Sequence, residues 1–281
     1  MTNNKLYARD EYLKKKAADS NGLNIQLTNN YAFRKTFKNT YIAKGFLMAL
    51  LGLKEDEIAD LKVTDPFEEG ESEQEKEGIL DVKIYLNNNK KINIEMQNRY
   101  QNDWTERSLF YNCRMFTDGF YHGQPYGELE PCIHIGILDF NLMRSQGFHH
   151  HIKLLDIKTG EEYNDKLQFH VVQLKKLEDA VKEEKETELY YWAKLLAAKD
   201  WKEVDDTIKG NPYREAVKDE MYKMSQDERE RYLYLREEMA YSDEISRMKT
   251  AREEGLEEGR KEGEEGRGEG GEKGRREGGG R

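Results

Sequence analysis

Ile79-Leu80-Asp81-Val82-Lys83-Ile84-Tyr85-Leu86, then Asn87-Asn88-Asn89, then Lys90-Lys91-Ile92-Asn93-Ile94-Glu95-Met96-Gln97, is the stretch that decides the fold. Two alternating runs flank an asparagine-rich loop, and Asn tolerates the positive φ that tight hairpins need. A three-residue loop over Asn87–Asn89 sets Leu86 opposite Lys90 and Asp81 opposite Glu95. Strand side chains alternate between faces. One face then carries Leu80, Val82, Ile84, Leu86, Ile92, Ile94 and Met96, and must be core. The other carries Asp81, Lys83, Tyr85, Lys91, Asn93, Glu95 and Gln97. Directly opposed residues have Cβ atoms about 4.5–5.5 Å apart, and like charges there are destabilising. A hard divalent cation would offset that repulsion, because it takes oxygen ligands from carboxylates, water and phosphate. The same pattern also fits a half-exposed hairpin with a solvated polar face, Lys83 and Lys91 partly neutralising the acids.

Outward from the hairpin, residues 30–53 show helical spacing of Phe33, Phe37, Phe46, Leu47 and Leu50, as one or two short helices. A strand over 58–67 ends at Pro66 and an acidic loop. A helix over 104–122 follows the hairpin, then strands at 132–140, 150–157 and 167–174. From Leu177 to about Arg252 the pattern is helical. Strands mixed with helices in this order predict an α/β sheet covered by helices. We expect a lead-in over 1–25, a core over 26–175, a helical region over 176–252 and a low-complexity tail over 253–281. In the tail glycines recur about every fourth residue, each costing a helix about 1 kcal/mol relative to Ala, so the tail reads as disordered.

At 36% hydrophobic and 36% charged residues the chain is polar but able to bury a core. Its longest apolar run, Gly45 to Leu51, is far short of a membrane span, and Met1 to Lys16 has no apolar signal core. These features lead us to expect a cytoplasmic protein with no membrane partner. Cys113 and Cys132 fit no zinc or disulfide pattern and read as small buried thiols. The net charge of −10 runs against nucleic-acid binding, yet the signs reverse between Lys83 and Arg114. Adjacent strand residues point to opposite faces, so His149, His150 and His151 cannot all chelate one ion. No phosphate-binding glycine loop, nucleophile elbow or dinucleotide fingerprint occurs.

At these residues the sequence resembles the PD-(D/E)XK nuclease superfamily and, more narrowly, the recombination-promoting nuclease/transposase family. The resemblance is carried by Asn29-Asn30-Tyr31-Ala32-Phe33-Arg34-Lys35-Thr36-Phe37, Ile79-Leu80-Asp81-Val82, Ile92-Asn93-Ile94-Glu95-Met96-Gln97, Arg107-Ser108-Leu109-Phe110-Tyr111 and Gly123-Gln124-Pro125-Tyr126-Gly127. It implies a restriction-endonuclease-like mixed β-sheet in αβββαβ order, flanked by helices, with a C-terminal helical extension. It implies a metal-dependent endodeoxyribonuclease linked to recombination or mobile DNA. Asp81 and Glu95 would be the ligands of Mg²⁺, with Mn²⁺ able to substitute. Gln97 stands where the superfamily usually has Lys; a neutral amide can only orient water or phosphate. Relatives tend to carry Asp at Asn30, which here keeps a cap-like oxygen for the following helix and is an accessory candidate. Arg107 and Tyr111, on one stripe with Arg114 and Asp118, are candidate DNA-phosphate contacts, although Arg107 could instead pair with Glu95. Arg34, Lys83 and Arg99 are further candidates for binding DNA. The alternative is a weakened nuclease fold that binds nucleic acid or protein, and the C-terminal helices offer a route to homo-oligomers.

Overall fold

The computed structural model describes residues 2–19, 23–64, 81–87 and 89–276, with side chains described from 9 to 261. Its elements in chain order are α1 (Thr2–Ala17), α2 (Asn30–Phe37), α3 (Thr40–Leu51), β1 (Leu61–Thr64), β2 (Val82–Leu86), β3 (Lys90–Gln97) and α4 (Trp104–Thr117). Then follow β4 (Cys132–Leu138), β5 (His149–Leu155), β6 (Glu162–Gln173), α5 (Lys182–Lys185), α6 (Glu188–Ala197), α7 (Trp201–Ile208), α8 (Pro212–Gln226) and α9 (Glu228–Arg276). Among the described residues six strands form one mixed sheet in the order β1-β2-β3-β4-β6-β5. β2 runs antiparallel to both of its neighbours, β1 and β3, whereas β3, β4 and β6 run parallel. The helix–strand–strand–strand–helix–strand order expected for the core is therefore present.

The hairpin register is the one the loop length implies. Leu86 pairs with Lys90, Ile84 with Ile92 and Val82 with Ile94. Asn87 supplies the positive φ, at 53°. Ile79, Leu80, Asn88 and the acidic loop lie outside the described residues. The apolar face is buried at Val82, Ile84, Leu86, Ile92, Ile94 and Met96. The polar face is buried as well, at Lys83, Lys91, Asn93 and Glu95, because α4 lies across it. The buried polar groups of this face must find their partners inside the protein.

Helices α2 and α3 with α6, α7 and α8 build the helical layer beside the sheet. Phe37 meets the ring of Phe46 at 5.3 Å, and Phe46 meets Trp192 of α6 at 5.7 Å. A Cβ on Gly45 would stand 2.3 Å from Tyr213, so this glycine is what lets α8 approach α3. The compact unit containing the sheet runs to Tyr234, and the part of α9 beyond it belongs to a second unit.

Several local expectations are corrected. The N-cap of α2 is Asn29, whose side chain accepts from the Ala32 N–H at 3.2 Å; Asn30 is the first helical residue. The stretch read as a lead-in holds α1, where Leu13 and Ala17, one turn apart in a lysine-rich segment, are buried. Arg231 Nε donates to the Ala17 carbonyl at 2.6 Å, a tertiary contact with no local signal. Cys113 is exposed, and only Cys132 is buried. Desolvation pushes the Cys132 thiol up to about 12. The glycine-rich stretch is helical to Arg276; i,i+4 ion pairs such as Lys261–Glu257 at 2.9 Å offset part of the glycine cost.

Candidate active site

The site forms where the start of β2, the end of β3, the middle of β4 and the first turns of α4 converge. Asp81 immediately precedes β2. Its Oδ2 accepts the Met96 backbone N–H at 2.8 Å, so the carboxylate reaches across to β3 beside Glu95. Burial pushes the Asp81 carboxyl up to about 7, and the Glu95 charge adds to the rise. The Met96 N–H, Arg34 and Arg107 oppose it. This is the electrostatic mark of two carboxylates sharing one desolvated place.

Glu95 is 2% exposed. Its Oε1 accepts from Gln97 Nε2 at 2.6 Å and also from an Arg107 guanidinium nitrogen. Its Oε2 is buried with no hydrogen-bond partner. Gln97 shares the face of Glu95 because it is two residues on, while Met96 turns to the core. Arg107 in α4 also donates to Gln101 Oε1 at 3.0 Å, and its guanidinium carbon lies 5.7 Å from the Tyr111 ring centre. The Arg107–Glu95 pairing anticipated as the rival to phosphate binding is thus the contact present.

Two residues that pattern alone gave no role complete the inner wall. Asn93 pairs directly with His134 of β4 across the parallel ladder. Asn93 Nδ2 lies 3.1 Å from His134 Nδ1, and His134 Nε2 lies 3.7 Å from Glu95 Oε2. His134 is fully buried, and desolvation lowers its pKa. In sequence it is the lone polar side chain of Cys132-Ile133-His134-Ile135-Gly136-Ile137-Leu138, a weak signal that only the register with Asn93 turns into a site. Gly136 pairs with Glu95 itself. A Cβ there would come within 2.2 Å of the Trp104 ring, so the missing side chain is the seat on which α4 begins.

The remaining candidates are placed as follows. Arg34 is half-buried on α2, and its charge is felt at Asp81. Arg99 occupies the bend after β3. The Asn30 Oδ1 is buried and without a hydrogen-bond partner. Lys83 is buried, with its ammonium 3.4 Å from Asp118 Oδ2. Lys91 donates to the Met115 carbonyl at 3.3 Å and to that of Asp118. These two cations therefore serve the C-terminal end of α4, where the helix dipole favours positive charge. His149 and His151 share a face with His170 of β6, the His151 and His170 rings stacked 4.1 Å apart. His149 Nε2 lies 2.9 Å from His170 Nδ1 and His151 Nε2 lies 2.7 Å from Gln168 Oε1, so these ring nitrogens are engaged within the cluster. Among the described residues, no three or more His, Cys, Asp or Glu side chains are arranged to hold a metal ion. The Asp81–Glu95 site thus offers two side-chain carboxylates. That number suits Mg²⁺, which is usually held by one or two carboxylates and keeps several waters.

Comparison with known proteins gives one family. The model described as PD-(D/E)XK nuclease family transposase matches residues 27–251. No curated protein and no solved structure matches the chain.

Proposed function

The chain belongs to the PD-(D/E)XK nuclease family transposases, and from that membership we propose that it is a divalent-metal-dependent DNA endonuclease acting in recombination or on mobile DNA. The observation that carries this reading is the buried pair of Asp81 and Glu95, with Glu95 Oε2 left without a partner. A desolvated acidic pair with an orphaned oxygen is costly unless something cationic serves it. The donor set is all oxygen, which fits a hard cation such as Mg²⁺ held by Asp81 and Glu95. Bound by Asp81 and Glu95, such an ion would offset both carboxylate charges, and the chemistry it would supply there is activation of water and stabilisation of charge on a phosphate.

The chain's own residues then have separate tasks. Gln97, already donating to Glu95, keeps a neutral amide at the site to orient water or phosphate. Arg107 pairs with Glu95 in the metal-free protein, and with an ion bound its guanidinium would be available to hold a phosphate. Its fork of donors suits a phosphate oxygen pair. Tyr111 lies beneath that guanidinium and steadies it. Arg34 and Arg99 extend positive charge from the site along a DNA backbone.

Nicking of supercoiled plasmid tests the proposal, with Mg²⁺ or Mn²⁺ and with the wild type beside Asp81→Ala and Glu95→Ala. Cleavage that needs the ion and drops to background in both variants is expected. Equal nicking by all three excludes this site. A second reading has its own support, since Arg107 and Gln97 already occupy Glu95 Oε1. In that reading the fold binds DNA without cutting it, and binding without ion-dependent cleavage by the wild type would establish it.

A further inference from the structure

Two buried polar atoms in this protein face one another, and neither has a hydrogen-bond partner: Glu95 Oε2 and His134 Nε2, 3.7 Å apart. The separation is just beyond an N–H···O bond of about 2.7–3.2 Å. Both groups are held from behind. His134 sits in β4 with its Nδ1 against Asn93 Nδ2 at 3.1 Å. Its ring is flanked by Trp104 at 6.0 Å and Phe169 at 6.2 Å. Glu95 is held through its other oxygen by Gln97 and Arg107.

The neighbours select one tautomer. An amide N–H from Asn93 needs a lone pair on Nδ1, which leaves the proton on Nε2. The opposite tautomer would aim the Nε2 lone pair at a carboxylate oxygen in a dry place, acceptor against acceptor. We propose that His134 is a positioning residue for Glu95: its Nε2–H is aimed at Glu95 Oε2 and fixes the plane of the carboxylate that the Asp81–Glu95 site presents to a divalent cation. A short movement of the Glu95 side chain closes the contact. Partners of this kind, which orient a ligand without touching the ion, are commonly worth 10- to 100-fold in metal affinity. The inference rests on the metal-site reading above only for its effect on ion binding. The His134–Glu95 contact itself does not depend on it.

Two measurements on the full chain separate those claims. Nitrogen-15 NMR of the imidazoles, with His134 assigned by comparison with His134→Gln, reads the tautomer in metal-free wild type. The Nε2–H form is expected, with its nitrogen resonance moving in Glu95→Gln; the Nδ1–H form, or no response to Glu95→Gln, overturns the proposal. Titration with Mn²⁺ then compares wild type, His134→Phe and His134→Gln, whose amide N–H stands close to where Nε2–H stood. An affinity loss of about 10- to 100-fold in His134→Phe, largely restored in His134→Gln, is the predicted result. Equal affinity in wild type and His134→Phe overturns the positioning role. If His134→Phe does not fold, an affinity within threefold of wild type in Asn93→Leu, which removes the amide that sets the tautomer, overturns it as well. Should wild type bind no Mn²⁺, it is the metal-site reading that fails, and the tautomer with its response to Glu95→Gln decides the contact.

Discussion

Asp81 carries the clearest electrostatic signature at the scale of single residues. Its carboxyl is raised from an ordinary value near 4 to about 7, burial being the main cause and the Glu95 charge the next. A folded-state pKa above the unfolded one means that the native protein holds the proton longer. The stability from this residue is then complete below about pH 4 and is lost as pH rises through about 7, at up to roughly 1.4 kcal/mol per unit. Other carboxylates push the opposite way, so the difference between variants is the useful quantity. Relative to wild type, Asp81→Asn should gain stability progressively from pH 4 to 7 and then level off, as followed by urea denaturation without metal. Ion binding carries the complementary sign. Below about pH 7 a cation must displace the Asp81 proton, so Mn²⁺ affinity should climb by up to about tenfold per unit toward pH 7 and flatten above it. A flat affinity profile between pH 5 and 7 would remove Asp81 from the ligand set.

Helix α4 is the element on which the site depends. Its sheet-facing side is Trp104, Ser108, Asn112 and Met115, while Leu109 and Phe110 are 50% and 55% exposed. This helix covers a polar face with a mixed one, apolar at its two ends and polar at Ser108 and Asn112 between them, unlike the usual amphipathic arrangement. The consequence for sequence reading is direct: apolar spacing locates such a helix but points its wrong side inward. What seats it is shape at Gly136 and charge at Lys83 and Lys91. Gly136→Ala should drive the Trp104 ring off β4 at a cost of about 1–3 kcal/mol. It should also displace Arg107, one turn further on, and so reduce cleavage; unchanged urea midpoint and activity would contradict the seating role. Asn29→Ala should cost about 1 kcal/mol by uncapping α2, and a little more through loss of its bond to the Tyr234 carbonyl at 3.3 Å. A thermal-melt comparison with Asn30→Ala, which removes no cap, would check the assignment.

For the molecule as a whole, the helices after the sheet are part of one compact unit with it up to Tyr234. Trp192 is buried against Phe46, and Tyr213 lies on Gly45. Truncation after Gln173 should therefore abolish a cooperative unfolding transition in circular dichroism. Truncation after Ala240 should preserve both the transition and cleavage. No helix among the described residues is long and apolar enough to cross a membrane. The hairpin, its register and the shared face of Asp81, Glu95 and Gln97 were legible in the linear sequence, because a period of two and a loop length fix parity with no distant information. His134 opposite Asn93, the buried Leu13 and Ala17, and the exposure of Cys113 were not. Each depends on which element lies beside which, across separations that local periodicity does not encode. Patterning thus determined the strands and the acidic pair, and tertiary packing alone decided that the polar face is dry, which is what raises Asp81 and leaves Glu95 Oε2 facing a histidine.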